Sequence, residues 1–162
     1  MTKHIGLLMV RNEADVLLDA LNAHCRFFDT IVAQDGSTDG GTEFLIERPQ
    51  IVKLIRDDDV LKPGERWTDG HRQYAMEWIM ENYGVENVWV TLLHADEFFH
   101  DDPIQAAEKA ADEGASHVAW AEYRFFLHTS DRSDMLDKSD KPVTDRIRWY
   151  CGPFFEVRQF SL

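Results

Sequence analysis

Two stretches of this chain are apolar almost without a break: I-G-L-L-M-V at Ile5–Val10 and V-W-V-T-L-L at Val88–Leu93. A strand with one wet face alternates polar and apolar residues. An unbroken run therefore marks a strand covered on both faces, the condition of a parallel sheet wrapped by helices. A shorter run, Ile31-Val32-Ala33, has the same character. Between the first two strands Leu17, Leu21, Cys25 and Phe28 recur at helical spacing, which predicts a helix over 13–28. The fold expected is α/β: an open, mostly parallel twisted sheet with helices on both faces.

Further along, a short helix is expected over 43–47, stopping before Pro49, and a third strand over 51–55. The run Arg56-Asp57-Asp58-Asp59 reads as a solvated loop rather than a metal site. After the Pro63-Gly64 turn, a helix over 67–83 is predicted with Tyr74, Trp78 and Ile79 as its apolar stripe and Gly84 as its stop. Pro103 opens another helix ending near Gly114, with Ile104, Ala107 and Ala111 inward. A strand over 117–127, a charged loop over 129–144 and an aromatic, basic tail over 146–160 complete the chain. The tail is expected to fold back as a strand over the site.

A chain of 162 residues with 44% apolar and 12% aromatic residues makes one globular domain with a real core. Its formal net charge of -13 argues against nucleic acid and against anionic lipid, both of which require clustered Lys and Arg. The two cysteines, Cys25 and Cys151, form no framework and no metal-spaced pair, so a reducing, cytoplasmic setting is expected. The apolar run at the N-terminus is too short for a signal sequence or a membrane span, and no transmembrane segment is expected.

Each apolar run discharges into polar residues. The first ends in Arg11-Asn12-Glu13, where Asn12 reads either as a helix cap or as a site residue. The second ends in Q-D-G-S-T-D-G-G-T at 34–42, whose three glycines allow backbone N–H groups to point into a cleft. There Asp35 and Asp39 are able to accept from a base or a ribose; the plainer reading is turn chemistry with Ser37 or Thr38 capping the next helix. A calcium loop fails, because its twelfth position is Ile46 where a bidentate Glu is needed. The fourth strand ends in His94-Ala95-Asp96-Glu97, where His94 and Asp96, two apart on extended backbone, point the same way. They form a candidate divalent-metal pair, better suited to Mn²⁺ than Mg²⁺; the alternative is an acidic loop beside a core histidine. Arg72 reads as a surface arginine or as a donor toward ribose or diphosphate.

Three of these motifs, V-R-N-E-A-D-V-L at Val10–Leu17, A-Q-D-G-S-T-D-G-G-T at Ala33–Thr42 and L-H-A-D-E-F-F at Leu93–Phe99, occur in an order that resembles the family-2 glycosyltransferases. G-H-R-Q-Y-A at Gly70–Ala75 resembles that family's arginine-bearing helix start. The resemblance covers about residues 3–102. It implies the GT-A fold in a single domain over 1–162, with a nucleotide-sugar-binding part at 1–102 and an acceptor-side part at 103–162, the latter cut short if the chain belongs to a longer one. It also implies that Arg11, Asn12 and Glu13 contact the nucleotide, that Asp35 recognises the base, that Asp39 closes that loop and that Arg72 faces the nucleotide. Asp96 matches the last aspartate of the D-x-D motif, which holds Mn²⁺ or Mg²⁺ on the diphosphate. The chain departs twice, with Gln34 before D-G-S and with His94 at the first position of D-x-D, where histidine can still be a ligand.

The reaction implied is transfer of a sugar from a nucleotide diphosphate sugar to a glycan, lipid or small-molecule hydroxyl, with inversion. Asp96 and Glu97 are expected to serve the metal and its support. The general base is expected from Glu122, Asp145 or Glu156, or beyond Leu162 in a longer chain. Two rival readings are a module that binds a nucleotide sugar without turnover and a sugar nucleotidyltransferase. The second lacks its glycine-rich loop after the first strand.

Overall fold

A computed structural model describes residues 2–62, 72–126 and 149–162, and the side chains of these except 122–126 and 149–156. Among the described residues eleven elements follow in chain order: β1 (Lys3–Val10), α1 (Ala14–His24), β2 (Ile31–Asp35), α2 (Gly41–Ile46), β3 (Ile51–Arg56), α3 (Asp57–Val60), α4 (Arg72–Tyr83), β4 (Val88–His94), α5 (Pro103–Asp112), β5 (His117–Phe126) and β6 (Trp149–Ser161). The six strands form one sheet in the order β3-β2-β1-β4-β6-β5. The first four are parallel, and β6 joins β4 antiparallel. The chain divides into two compact units, Met1–Val118 with Arg158–Leu162, and Ala119–Val157. Within the second, the described residues are strand.

The unbroken apolar runs are buried on both faces, as their composition requires. One face of β1 sends Leu8 and Val10 into a cluster with Leu17 and Leu21 of α1, Ala33 of β2, Leu45 of α2 and Leu93 of β4. The opposite face sends Ile5, Leu7 and Met9 against Ala75 and Ile79 of α4, with Val32, Val88 and Val90. Helices thus cover both sides of the parallel strands. No helix among the described residues is long and apolar enough to cross a membrane.

Several expectations are corrected. Helix α1 ends at His24, and a turn carries the chain on to the buried Phe28; its inward residues are Leu17, Ala20, Leu21 and His24, with Cys25 only half-buried. In α4 the inward pair is Ala75 and Ile79, while Tyr74 is 36% exposed. In α5 the inward residue is Ala110 rather than Ala111, and Asp102 caps the helix through Ile104 N at 2.8 Å. The acidic run after β3 is no solvated loop: it forms α3, and Asp57 is buried there. The end of the tail is a strand, as expected. It runs alongside β4, with Gln159 opposite Thr91 and Ser161 opposite Trp89. The predicted turn at 63–64, the first turns of the 67–83 helix and the 129–144 loop lie outside the described residues.

Candidate functional site

Parallel pairing fixes where the polar loops lie. Asp35 stands opposite Val10, and His94 opposite Met9, so the ends of β2 and β4 flank β1 at one edge of the sheet. Two strand spacings separate them, about 10 Å. The chain runs from β1 to β2 and β3 on one side and then crosses back to β4 on the other. The gap beyond β1 and β4 is therefore a topological switch point, where open α/β sheets take ligands.

At the β2 end, the motif is laced into the fold. Asp35 is fully buried. Its Oδ1 accepts from Ser37 N at 2.8 Å, and its Oδ2 accepts from Thr42 Oγ1 at 2.6 Å and from Arg56 Nη1. A second guanidinium nitrogen of Arg56 donates to the Ser37 carbonyl at 3.0 Å. Asn12 adopts the left-handed conformation (φ 59°), its N–H donating to Ser37 Oγ at 3.1 Å and its Oδ1 accepting from Thr38 N at 2.8 Å. Asp39 accepts from Ala14 N at 2.9 Å and from Gly41 N at 3.1 Å, supplying α1 with a cap from 25 residues away. Neither Ser37 nor Thr38 caps α2, whose N-cap is Gly40 at φ 93°, and Asn12 does not cap α1.

Gly36 is required for a different reason, close approach. A Cβ there would lie 2.1 Å from Asp57 Oδ2. That carboxylate is held by Gln34, whose Nε2 donates to Asp57 Oδ1 at 3.0 Å in a buried pair. This gives the glutamine before D-G-S a physical reason. A carboxylate at 34 would offer no donor and would set a second negative charge against Asp57.

At the β4 end, the polar groups are more open. Asp96 is exposed, and His94 and Glu97 are half-buried. Met9 faces α4, so the side chain of its neighbour His94 faces α4 too, and Arg72 at the start of α4 brings Nη2 to 3.4 Å from His94 Nε2. Arg158 of β6 reaches the same atom with Nη1 at 3.1 Å and Glu97 Oε1 with Nη2 at 2.5 Å. Guanidinium only donates, so His94 Nε2 accepts and the ring proton sits on Nδ1. Behind the strand end, His24 donates from Nε2 to the His94 carbonyl at 3.1 Å and meets Phe99 edge-on. Burial lowers the His24 pKa from its ordinary value, opposed in part by that hydrogen bond.

Between these two ends, Glu13 is half-buried and accepts from Arg11 N at 3.3 Å, while Arg11 is exposed. Burial raises the Glu13 pKa; the Arg11 N–H opposes this, and the charges of Asp96, Asp15 and Asp39 add to it. Of the sequence candidates, Arg11, Asn12, Glu13, Asp35, Asp39, Arg72, His94, Asp96 and Glu97 therefore belong to one edge of the first unit. The side chains of Glu122 and Glu156, and the whole of Asp145, lie outside the described residues. Sequence reasoning passed over Arg56, Asp57, His24 and the partnership of Arg158. The available signal for Arg158 was a cation beside a glutamine within an otherwise aromatic strand, where burial demands partners.

The ligand atoms of His94, Asp96 and Glu97 lie within 4.8 Å of one another, a spacing one metal ion could span. The surrounding chemistry does not fit such an ion. His94 Nε2 and Glu97 Oε1 already receive guanidinium N–H groups, and a divalent cation there would face two positive charges. Compared with known proteins, the chain matches no family model and no curated protein.

Proposed function

We propose that this chain is a glycosyltransferase of the GT-A type, which takes a nucleotide diphosphate sugar across the ends of β1, β2 and β4. The observation that carries the reading is the convergence of three polar loops, Arg11–Glu13, Asp35–Asp39 and His94–Glu97, at one switch point of a parallel sheet. Their order along the chain is that of the resemblance. Exposed Arg11 and half-buried Glu13 and Arg72 offer donors and acceptors to the nucleotide.

In the transfer, the bond from the anomeric carbon to the diphosphate breaks, and its electron pair leaves on the phosphate oxygen. The acceptor oxygen bonds to the same carbon from the opposite face, and its proton passes to a carboxylate. Positive charge growing on the sugar ring is offset by nearby carboxylates such as Asp96, and negative charge on the leaving oxygen by arginine. Glu156 remains the base offered by the sequence, with Glu122 and Asp145 as its rivals.

A binding-only reading has one observation in its favour. Both oxygens of Asp35, the residue expected to recognise the base, are engaged by the fold itself. Thermal melting with a panel of nucleoside diphosphates, followed by assay of nucleoside diphosphate release from nucleotide sugars, separates the readings. Stabilisation with release supports the transferase, and stabilisation without release supports the module. A flat response to every nucleotide sinks both.

A further inference from the structure

We infer that the guanidinium groups of Arg158 and Arg72 stand where the resemblance would place a divalent ion, so that the β4 end meets a diphosphate without metal. The inference deepens the proposed function: its ligand rests on that reading, but its cation does not. Three elements carry it. Helix α4 delivers Arg72, β6 delivers Arg158, and both reach Nε2 of His94 on β4. Arg158 also grips the Glu97 carboxylate at 2.5 Å, so one guanidinium bridges two of the three groups a metal would need.

The placement of Arg158 is built in, not a surface side chain resting nearby. The residue is only 9% exposed. Its neighbour Gln159 is fully buried, pairs with Thr91 across the β4–β6 ladder, and donates from Nε2 to Thr91 Oγ1 at 2.9 Å and to the Pro103 carbonyl at 2.8 Å. Those anchors hold the β6 backbone one residue from Arg158. Swinging the guanidinium aside would strand its charge in a buried setting and leave Glu97 without its short ion pair. Arginine also suits the task assigned to it, since its planar fork matches phosphate oxygens. Histidine at the first position of the motif belongs to the same arrangement. It accepts from arginine through a neutral ring, where an aspartate would bring a further charge.

Titration of MnCl₂ alone into the intact protein tests the cation half without any nucleotide. The wild type is expected to show no Mn²⁺ binding that His94→Ala removes. Arg158→Gln should create such binding, with a gain of roughly tenfold or more, the scale on which neighbours tune a metal site. Arg158→Lys, which keeps the charge, should not. If Arg158→Gln does not fold, Arg72→Ala and the wild-type titration carry the test. In parallel, melting with UDP and GDP is compared in EDTA and in Mn²⁺. Equal stabilisation in both supports the inference; stabilisation that needs Mn²⁺, or His94-dependent Mn²⁺ binding in the wild type, overturns it. Absence of Mn²⁺ binding together with no response to either nucleotide leaves the guanidinium centre standing and removes the proposed function instead.

Discussion

The ends of β2 and β4 flank the same strand, carry similar residue types and are used in opposite ways. At β2, the aspartate is sealed and every group it contacts is part of the scaffold. At β4, the aspartate faces solvent, and its neighbours are answered by arginines from other elements. A buried carboxylate stripped of water must collect hydrogen bonds from its own fold. An exposed one keeps its charge available for a ligand. The difference teaches that the most distinctive motif in the chain shapes the edge of the sheet, while the groups left open lie beside it.

The largest effect should come from breaking the sealed end. Asp35→Ala leaves the Arg56 guanidinium, the Ser37 N–H and the Thr42 hydroxyl without their acceptor. Removing one partner of such a pair costs about 3 kcal/mol, the lower end of the buried range because Arg56 is partly exposed. Glu97→Gln, at the other end, keeps an oxygen that still accepts from Arg158 and should cost only about 1.5 kcal/mol in urea unfolding. Equal losses would erase the contrast.

Next comes the support beneath the sealed loop. Gly36→Ala drives a methyl group into Asp57 Oδ2, and Gln34 holds that carboxylate so that it cannot simply turn away. A loss of about 1–3 kcal/mol is expected. In an Asp57→Ala background most of that penalty should disappear, and a double-mutant cycle reads the coupling directly. Additive losses would mean that the glycine serves some other need.

How much of this was legible in the sequence follows the range of the interactions. Strands β1, β2 and β4 announced themselves because burial on both faces leaves a local trace, an unbroken apolar run. The shared edge followed from parallel connectivity. Asp57 was misread because three adjacent aspartates look solvated, and only the Gln34 amide, 23 residues away, reveals that the first of them is buried. Arg158 lies 64 residues from His94, and no spacing rule connects a tail strand to a distant strand end. Even the cap of α1 is remote, since Asp39 rather than a neighbouring residue satisfies Ala14 N. Local periodicity encodes elements, whereas charge pairing across the sheet edge is encoded only by the fold.

A smaller effect is set by pH. Burial lowers the His24 pKa below 6.5, and burial also lowers that of His4, against the charges of Glu108 and Asp102. A depressed histidine stabilises the fold above its unfolded value and loses that contribution as pH falls below 6.5 toward the folded value. Unfolding free energy should therefore drop on acidification from about pH 7, by at most about 1.4 kcal/mol per pH unit for each histidine. His24→Phe should flatten part of that slope, because Nδ1 is buried with no hydrogen-bond partner and the His94 carbonyl still accepts from Glu97 N at 3.4 Å. An unchanged slope would mean that His24 is not what links the core to acid.

The smallest change in stability should come from the open aspartate. Asp96→Asn keeps the shape of an exposed side chain and removes one charge, so the fold should shift by no more than about 0.5 kcal/mol. Glu13 pushes the change toward a gain, because its carboxyl is raised by burial first and by Asp96 among the neighbouring charges. A raised carboxyl contributes stability below its unfolded value of 4.5 and loses it as pH rises through the folded value. Removing the Asp96 charge brings the folded value of Glu13 down, though burial keeps it above the ordinary one. The variant should therefore be slightly more stable than wild type at neutral pH, with the advantage fading as pH falls through the raised folded values of Glu13 and gone by pH 4.5, as paired urea curves and a carboxyl NMR titration of Glu13 would read. A loss above about 1 kcal/mol at neutral pH would place Asp96 with Asp35 as part of the scaffold. The β4 end would then be bound up in the fold no less than the β2 end, and a ligand would have to be sought at Arg11 and Glu13 alone.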